Sequence, residues 1–194
     1  TQYDSALLSE DINQLQVLFP FLKVSIVGYS VMGNPIREIR FGKGRRKIHF
    51  NASFHANEWI TTPILMALLN TFLISLTNMA AIRGVSIMPL YQAADISIVP
   101  MVNPDGVDLV LNGPPSRVRE QVLDINNGSL DFSGWKANIR GVDLNNQYPA
   151  NWEIEKERKE PKAPAPRDYP GDAPLTEPEA ITMAELARNN NFDR

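Results

Sequence analysis

No cysteine occurs among the 194 residues, which removes disulfide frameworks, thiolate metal clusters and cysteine nucleophiles together. Histidine is nearly as scarce: His49 and His55 are the only two, so imidazole chemistry rests on one pair. Positive charge is not in excess either. Lys and Arg number 19 against 22 Asp and Glu, a formal net charge of −3, which gives no electrostatic footprint for nucleic acid. Long apolar runs are missing too. The longest candidate, Ile60 to Leu76, is broken by Thr61, Thr62, Asn70, Thr71 and Ser75, short of the ~18–20 apolar residues of a spanning helix; no membrane span is expected. The first residues lack a charged segment followed by an apolar stretch and a cleavage site, so an export signal, if one serves this protein, lies outside them. What is present, 43% hydrophobic and 21% charged residues, is ordinary globular composition at the length of one large domain.

Along the chain, Leu7, Leu8, Ile12, Leu15 and Leu18 recur at three- and four-residue steps and predict a helix between Tyr3 and Leu18, ended by Pro20. Three β-rich runs follow, Leu22 to Ser30, Pro35 to Phe41 and Lys47 to Phe54, separated by Met32-Gly33-Asn34 and Gly42-Lys43-Gly44. Glu58 to Thr77 reads as a long buried helix, and Ala94 to Val102 as a strand stopping at the turn signal Asn103-Pro104-Asp105-Gly106. Alternation of strand, helix and strand predicts an α/β fold, a mixed or partly parallel sheet flanked by helices. Leu111 to Gly134 and Trp135 to Tyr148 read as ordered loop. Glu153 to Pro174, with a charge run and several prolines, reads as an exposed irregular excursion. Thr176-Glu177-Pro178-Glu179 is expected to open a helix through Arg188 with Thr176 and Glu179 as a capping box.

Chemistry concentrates at Phe54-His55-Ala56-Asn57-Glu58-Trp59, between an apolar strand and a helix, where ligand sites of α/β sheets gather. A His and a carboxylate three residues apart at such a turn can face a common centre. Zinc accepts both donor types, and its catalytic sites commonly combine two His and one Glu with a position left for water. Alone, the HxxE pair is also compatible with a hydrogen-bonded histidine and a helix-start glutamate.

Four landmarks in order widen the basis: the His55 segment, Val102-Asn103-Pro104-Asp105-Gly106, Gly141-Val142-Asp143-Leu144-Asn145, and Tyr169-Pro170-Gly171 leading into Thr176-Glu177-Pro178-Glu179. With these the chain resembles the zinc carboxypeptidase A-like family over nearly its whole length. The wording Gly141 to Pro149 is similar, more narrowly, to the bacterial gamma-D-glutamyl-meso-diaminopimelate peptidases, which cut peptidoglycan stem peptides. The resemblance implies a phosphorylase/hydrolase-like fold with an eight-stranded mixed sheet and one catalytic zinc, residues 1–194 forming the N-terminal part of a single catalytic domain that is incomplete at its C-terminus. It implies His55 and Glu58 as the first two zinc ligands, and Lys136 or Arg140 as the cation that stabilises the oxyanion. It also implies Asn145, with Asn146 and Gln147 beside it, as substrate-binding.

Two departures stand out. Members that clamp a terminal carboxylate do so with an arginine where this chain has Asn146, and Gln147 replaces a second asparagine. The pocket is therefore expected to be neutral and suited to a polar, branched group such as diaminopimelate. The third ligand and the general base expected of the family find no match here, His49 being placed within the approaching strand. The resulting expectations are a zinc peptidase acting on cell-wall stem peptides, secreted or associated with the bacterial wall or spore, and inactive as these residues alone. The alternatives are a non-catalytic peptide-binding module and a carboxypeptidase of broad specificity. An incomplete sheet is expected to expose an edge and apolar surface, and so to associate.

Overall fold

Residues 2–194 are described by a computed structural model. Helix α1 (Ser5–Leu18) turns Leu8, Ile12 and Leu15 inward, as its spacing predicts, and is capped by Asp4, whose carboxylate accepts from the Leu7 N–H. Strands β1 (Lys23–Tyr29), β2 (Pro35–Gly42) and β3 (Arg46–Asn51) occupy the three β-rich runs. Helix α2 (Thr61–Thr77) follows, then a two-strand hairpin, β4 (Ala81–Ile82) and β5 (Val85–Ser86), helix α3 (Ile87–Ala93) and strand β6 (Ala94–Val99). The remaining helices are α4 (Pro104–Asn112), α5 (Arg119–Ile125), α6 (Trp152–Arg158) and α7 (Pro178–Asn190).

The main sheet has the order β1-β2-β6-β3, with β6 antiparallel to β2 and parallel to β3. It is mixed, as expected, and four-stranded where the resemblance implies eight. On one side, α1 and α2 cover it through Ile12, Leu15, Met66, Leu69 and Leu73, packed on Ile39, Phe41, Ile96 and Ile98. On the other, α7 lays Ala180, Met183 and Leu186 against Ile36 and Val99. Contact is closest at Gly28, where a Cβ would come within 2.0 Å of the Thr182 hydroxyl; a side chain there would push α7 off the sheet. The last residues run along the outer edge of β3, the Asp193 N–H donating to the Lys47 carbonyl and the His49 N–H to the Arg194 carbonyl.

Several expectations are corrected. By length and composition the helical stretch Ala56–Thr77 could cross a membrane, against the reading that no run qualifies. In this structure one face buries Leu65, Met66, Leu69, Leu73 and Leu76, and the other exposes Ile60, Ile64, Leu68 and Ile74. Asn103-Pro104-Asp105-Gly106 starts α4 instead of forming a free turn, because Asn103 caps the helix and Pro104 fits its first turn. The region read as loop from Leu111 holds α5, anchored by Val122. The excursion begins as α6, fixed by the buried Trp152, whose indole N–H donates to the Pro170 carbonyl at 3.3 Å. The capping box does not form: Glu177 occupies the cap position, Thr176 donates to Gln147, and Glu179 turns into the core.

Glu179 is fully buried, accepting from the Val31 N–H at 3.1 Å and the Asn138 amide at 3.3 Å. Burial pushes its carboxyl up to about 7. A carboxyl whose folded pKa lies above its unfolded value stabilises the fold below the unfolded pKa and loses that contribution as pH rises through the folded one. Stability is therefore expected to fall between about pH 4.5 and 7, and Glu179→Gln should flatten that slope in urea melts taken across the range. An unchanged slope would mean that Glu179 binds its proton equally well in the folded and unfolded states.

Candidate metal centre

The site is assembled where β3 ends. After Asn51 the chain passes Ser53, a non-glycine residue at φ 50°, a left-handed conformation that costs of order 1 kcal/mol or more unless the surroundings enforce it. Here they do: the Ser53 N–H donates to the Thr61 hydroxyl at 3.0 Å, and its own hydroxyl lies 2.7 Å from that of Thr62. The reversal throws Phe54 and His55 out over the strand ends. A 3₁₀ turn, Ala56–Glu58, follows, and the N–H groups of Ala56 and Asn57 donate to the carbonyls of Lys136 and Trp135. The turn bearing His55 and Glu58 is thereby stitched to the loop bearing Lys136.

One buried amide locks the arrangement. Asn103, fully buried, donates to the carbonyls of Phe54 at 3.2 Å and Ala137 at 3.0 Å, and accepts from the Gly106 N–H at 3.0 Å. Gly106 has no alternative, since a Cβ would lie 2.6 Å from the Asn103 amide nitrogen and 2.8 Å from the Ala137 carbonyl oxygen. Neighbouring Asp105 accepts from the Ser30 hydroxyl, the Met32 N–H and the Asn34 amide, joining the β1–β2 turn to the same assembly.

Within this frame the His55 Nδ1 and the Glu58 Oε1 lie 3.2 Å apart, and the Lys136 Nζ sits 3.3 Å from the same Glu58 oxygen. The other imidazole nitrogen, Nε2, is 3.1 Å from Asp143 Oδ1. That carboxylate is itself fixed, accepting from the N–H groups of Asn145 and Asp168 at 3.2 Å each. The hydrogen bond to Asp143 holds the imidazole above its ordinary pKa. Burial pushes the Asp143 carboxyl up, but its bonds to His55, Asp168 and Asn145 outweigh burial and hold it below its usual value.

This donor set suits a metal. Histidine ligands characteristically give their second nitrogen to a carboxylate, which fixes tautomer and ring orientation; Asp143 does so here, leaving Nδ1 free to face Glu58. Imidazole nitrogen and carboxylate oxygen are both zinc donors. Among the described residues no group of three His, Cys, Asp or Glu surrounds a common point; His55 and Glu58 are the donors that could hold a metal here. His49 lies elsewhere, its Nδ1 2.9 Å from the Ser97 hydroxyl and its ring stacked on Phe192.

Of the two candidate cations the structure brings only Lys136 to this centre. The Arg140 guanidinium instead lies 3.5 Å from Glu177, at the start of α7. Asn145 is exposed and Asn146 half-buried beside Asp143. The reading of Gln147 is corrected: it is fully buried, with its amide nitrogen donating to the carbonyls of Pro170 and Ala173. Its oxygen accepts from the N–H groups of Thr176 and Glu177 and from the Thr176 hydroxyl. Every polar atom is spent on the 170–177 loop, and none is left for a substrate. Asp143 lies within Gly141 to Asn145 but is not among the site residues predicted from the sequence; its signal is the lone carboxylate in an otherwise apolar and amide-bearing segment.

The chain is 55% identical over 192 residues to gamma-D-glutamyl-L-diamino acid endopeptidase 1 of Lysinibacillus sphaericus, covering 98% of this chain and 48% of that protein. It is 46% identical over 196 residues to the uncharacterised protein YqgT of Bacillus subtilis, covering 99% and 52%. The chain thus spans about half the length of the curated relatives it matches. Among solved structures, bovine thrombin-activatable fibrinolysis inhibitor superposes with a TM-score of 0.73 at 19% identity, over 98% of this chain and 57% of that one. Carboxypeptidase A from Helicoverpa armigera gives 0.67 at 19% identity, over 97% and 43%; at such identities these two bear on the fold alone. The model of the zinc carboxypeptidase family matches residues 8–194, and the chain belongs to that family.

Proposed function

We propose that this chain contributes two zinc ligands and the oxyanion-stabilising cation of a metallopeptidase that hydrolyses gamma-D-glutamyl-diamino acid bonds in bacterial cell-wall stem peptides. The observation that carries the reading is the convergence of His55 Nδ1 and Glu58 Oε1 at 3.2 Å while Asp143 occupies His55 Nε2. Zinc held there would polarise a scissile carbonyl and lower the pKa of a bound water. Glu58 and His55 orient towards that point, and Asp143 keeps the imidazole from rotating away. Lys136 presents a fixed positive charge beside it, where charge develops on the carbonyl oxygen. The choice of bond draws support from the 55% identical endopeptidase, and from Asn146, which offers a neutral amide where a guanidinium fork would otherwise grip a terminal carboxylate. Because a substrate of this kind belongs to the cell wall, we infer that the protein acts at the wall or the spore.

A second reading, a binding module without turnover, is favoured by one observation: only two metal donors converge among the described residues. The two readings separate in one assay. The full natural polypeptide, supplied with zinc and L-alanyl-gamma-D-glutamyl-meso-diaminopimelate, is expected to release diaminopimelate, detected by mass spectrometry, and to stop when a chelator is added. Binding without cleavage would leave the module; release of C-terminal residues from ordinary peptides would leave a carboxypeptidase of broad specificity.

Two substitutions test the roles. Lys136→Met is expected to lower kcat by about 10²-fold or more with a smaller effect on KM, whereas Arg140→Met leaves kcat within a few-fold; the reverse order would move the oxyanion role to Arg140. Asp143→Asn should weaken zinc affinity by about 10–100-fold in a competition titration, with the near-ultraviolet dichroism of the fold retained.

A further inference from the structure

The opposite pole of the sheet gathers a different chemistry. Strand β3 runs from Arg46 towards the metal centre, so whatever is level with its first residue lies at the far end. The strand register places Lys23 beside Arg40, Gly42 beside Asp95 and Arg46 beside Ala94. The end of α2, the 81–86 hairpin and α3 reach the same level before β6 begins. There the β2–β3 turn and the start of β3 read Lys43-Gly44-Arg45-Arg46-Lys47, and β1 and the 81–86 hairpin contribute Lys23 and Arg83.

Acidic groups do little to neutralise this pole. Asp95 is taken by Arg40 through two bonds of 2.8 and 2.6 Å, and the Asp193 carboxylate accepts from the Lys47 backbone. Among the described residues, Lys23, Lys43, Arg45, Arg46 and Arg83 form no ion pair. Five cations without an ion pair thus belong to the elements of this end, on a chain whose net charge is −3.

The same elements and their flanks expose apolar side chains: Phe21, Leu90, Val85 and Met79 are 40%, 45%, 54% and 84% exposed. Phe21 meets Tyr91 edge-on at 6.0 Å, and the Lys43 ammonium lies 5.9 Å over the Tyr91 ring. Phe21, Lys23, Lys43 and Tyr91 line one open cleft of about 480 Å³.

We propose that this pole is a peripheral docking surface for an anionic lipid bilayer. Cations ringing exposed aromatic and aliphatic side chains match a membrane interface, where headgroups carry the negative charge and the acyl boundary accepts the apolar groups. A soluble polyanion would satisfy the cations and leave Phe21, Leu90, Val85 and Met79 in water, so the lipid surface accounts for more of what is there. Docked this way, the protein points its metal centre away from the bilayer.

The test is co-sedimentation of the full natural polypeptide with vesicles of phosphatidylcholine alone or with 30% phosphatidylglycerol (roughly the anionic content that gives such surfaces their potential), at low and high salt. Binding is expected only to the anionic vesicles and only at low salt. At about fivefold per cation, Arg45→Ser with Arg46→Ser should weaken it roughly 25-fold, and Met79→Ser with Val85→Ser severalfold, both pairs keeping peptidase activity as the control for folding. Equal partition of the charge variant and the unmodified protein, or no binding to anionic vesicles, overturns the proposal. Displacement by soluble polyphosphate together with indifference to Met79→Ser and Val85→Ser also overturns it, assigning the pole to a polyanion in solution.

Discussion

The candidate site depends on one buried amide more than on any other group. The Asn103 side chain ties the carbonyl before His55, the carbonyl after Lys136 and the first turn of α4 to a single point. Buried amides are expensive to leave unpaired, so each partner is held where Asn103 needs it. The two loops that converge at the metal centre come from positions some eighty residues apart in the sequence, and no continuous element joins them. Their relative placement rests on this amide and on the backbone bonds from Ala56 and Asn57 to the Lys136 and Trp135 carbonyls.

The same device recurs. Gln147 closes the 170–177 loop, and Asn138 gives its amide to Glu177 and Glu179 while its oxygen accepts from the Arg140 and Val142 N–H groups. Loops without ladder hydrogen bonds must pair their buried backbone groups somehow, and here side-chain amides do much of it. This leaves Lys136, Asp143, Asn145 and Asn146 on a rigid frame, as a site requiring fixed geometry needs.

This economy also explains what was legible in the sequence. The first helix, the three β runs, α2 and β6 follow from periodicity, since burying one face dictates spacing. His55 and Glu58 were legible because a strand-to-helix turn brings residues three apart onto one side. Gln147 was misread because a row of amides looks the same whether it serves a ligand or the chain's own carbonyls; the difference lies in Pro170, Ala173 and Thr176, more than twenty residues away. The resemblance points to Lys136 with Arg140 as the other candidate, and the two separate in space because Glu58 engages Lys136 and Glu177 engages Arg140. The failed capping box shows a local pattern overridden, Glu179 being drawn inward to satisfy Val31 and Asn138. Short helices such as α3 and α5 carry too few turns for their period to show.

The central claim is that His55 and Glu58 are oriented for zinc by the chain itself, with Nδ1 the ligating nitrogen because Asp143 holds Nε2. Anomalous diffraction from crystals grown with zinc measures this directly. The expected result is one zinc peak about 2.0–2.2 Å from His55 Nδ1 and from a Glu58 carboxylate oxygen, with the Asp143 bond intact. A peak on His55 Nε2 with Asp143 displaced, or zinc bound only at other residues, would contradict the account.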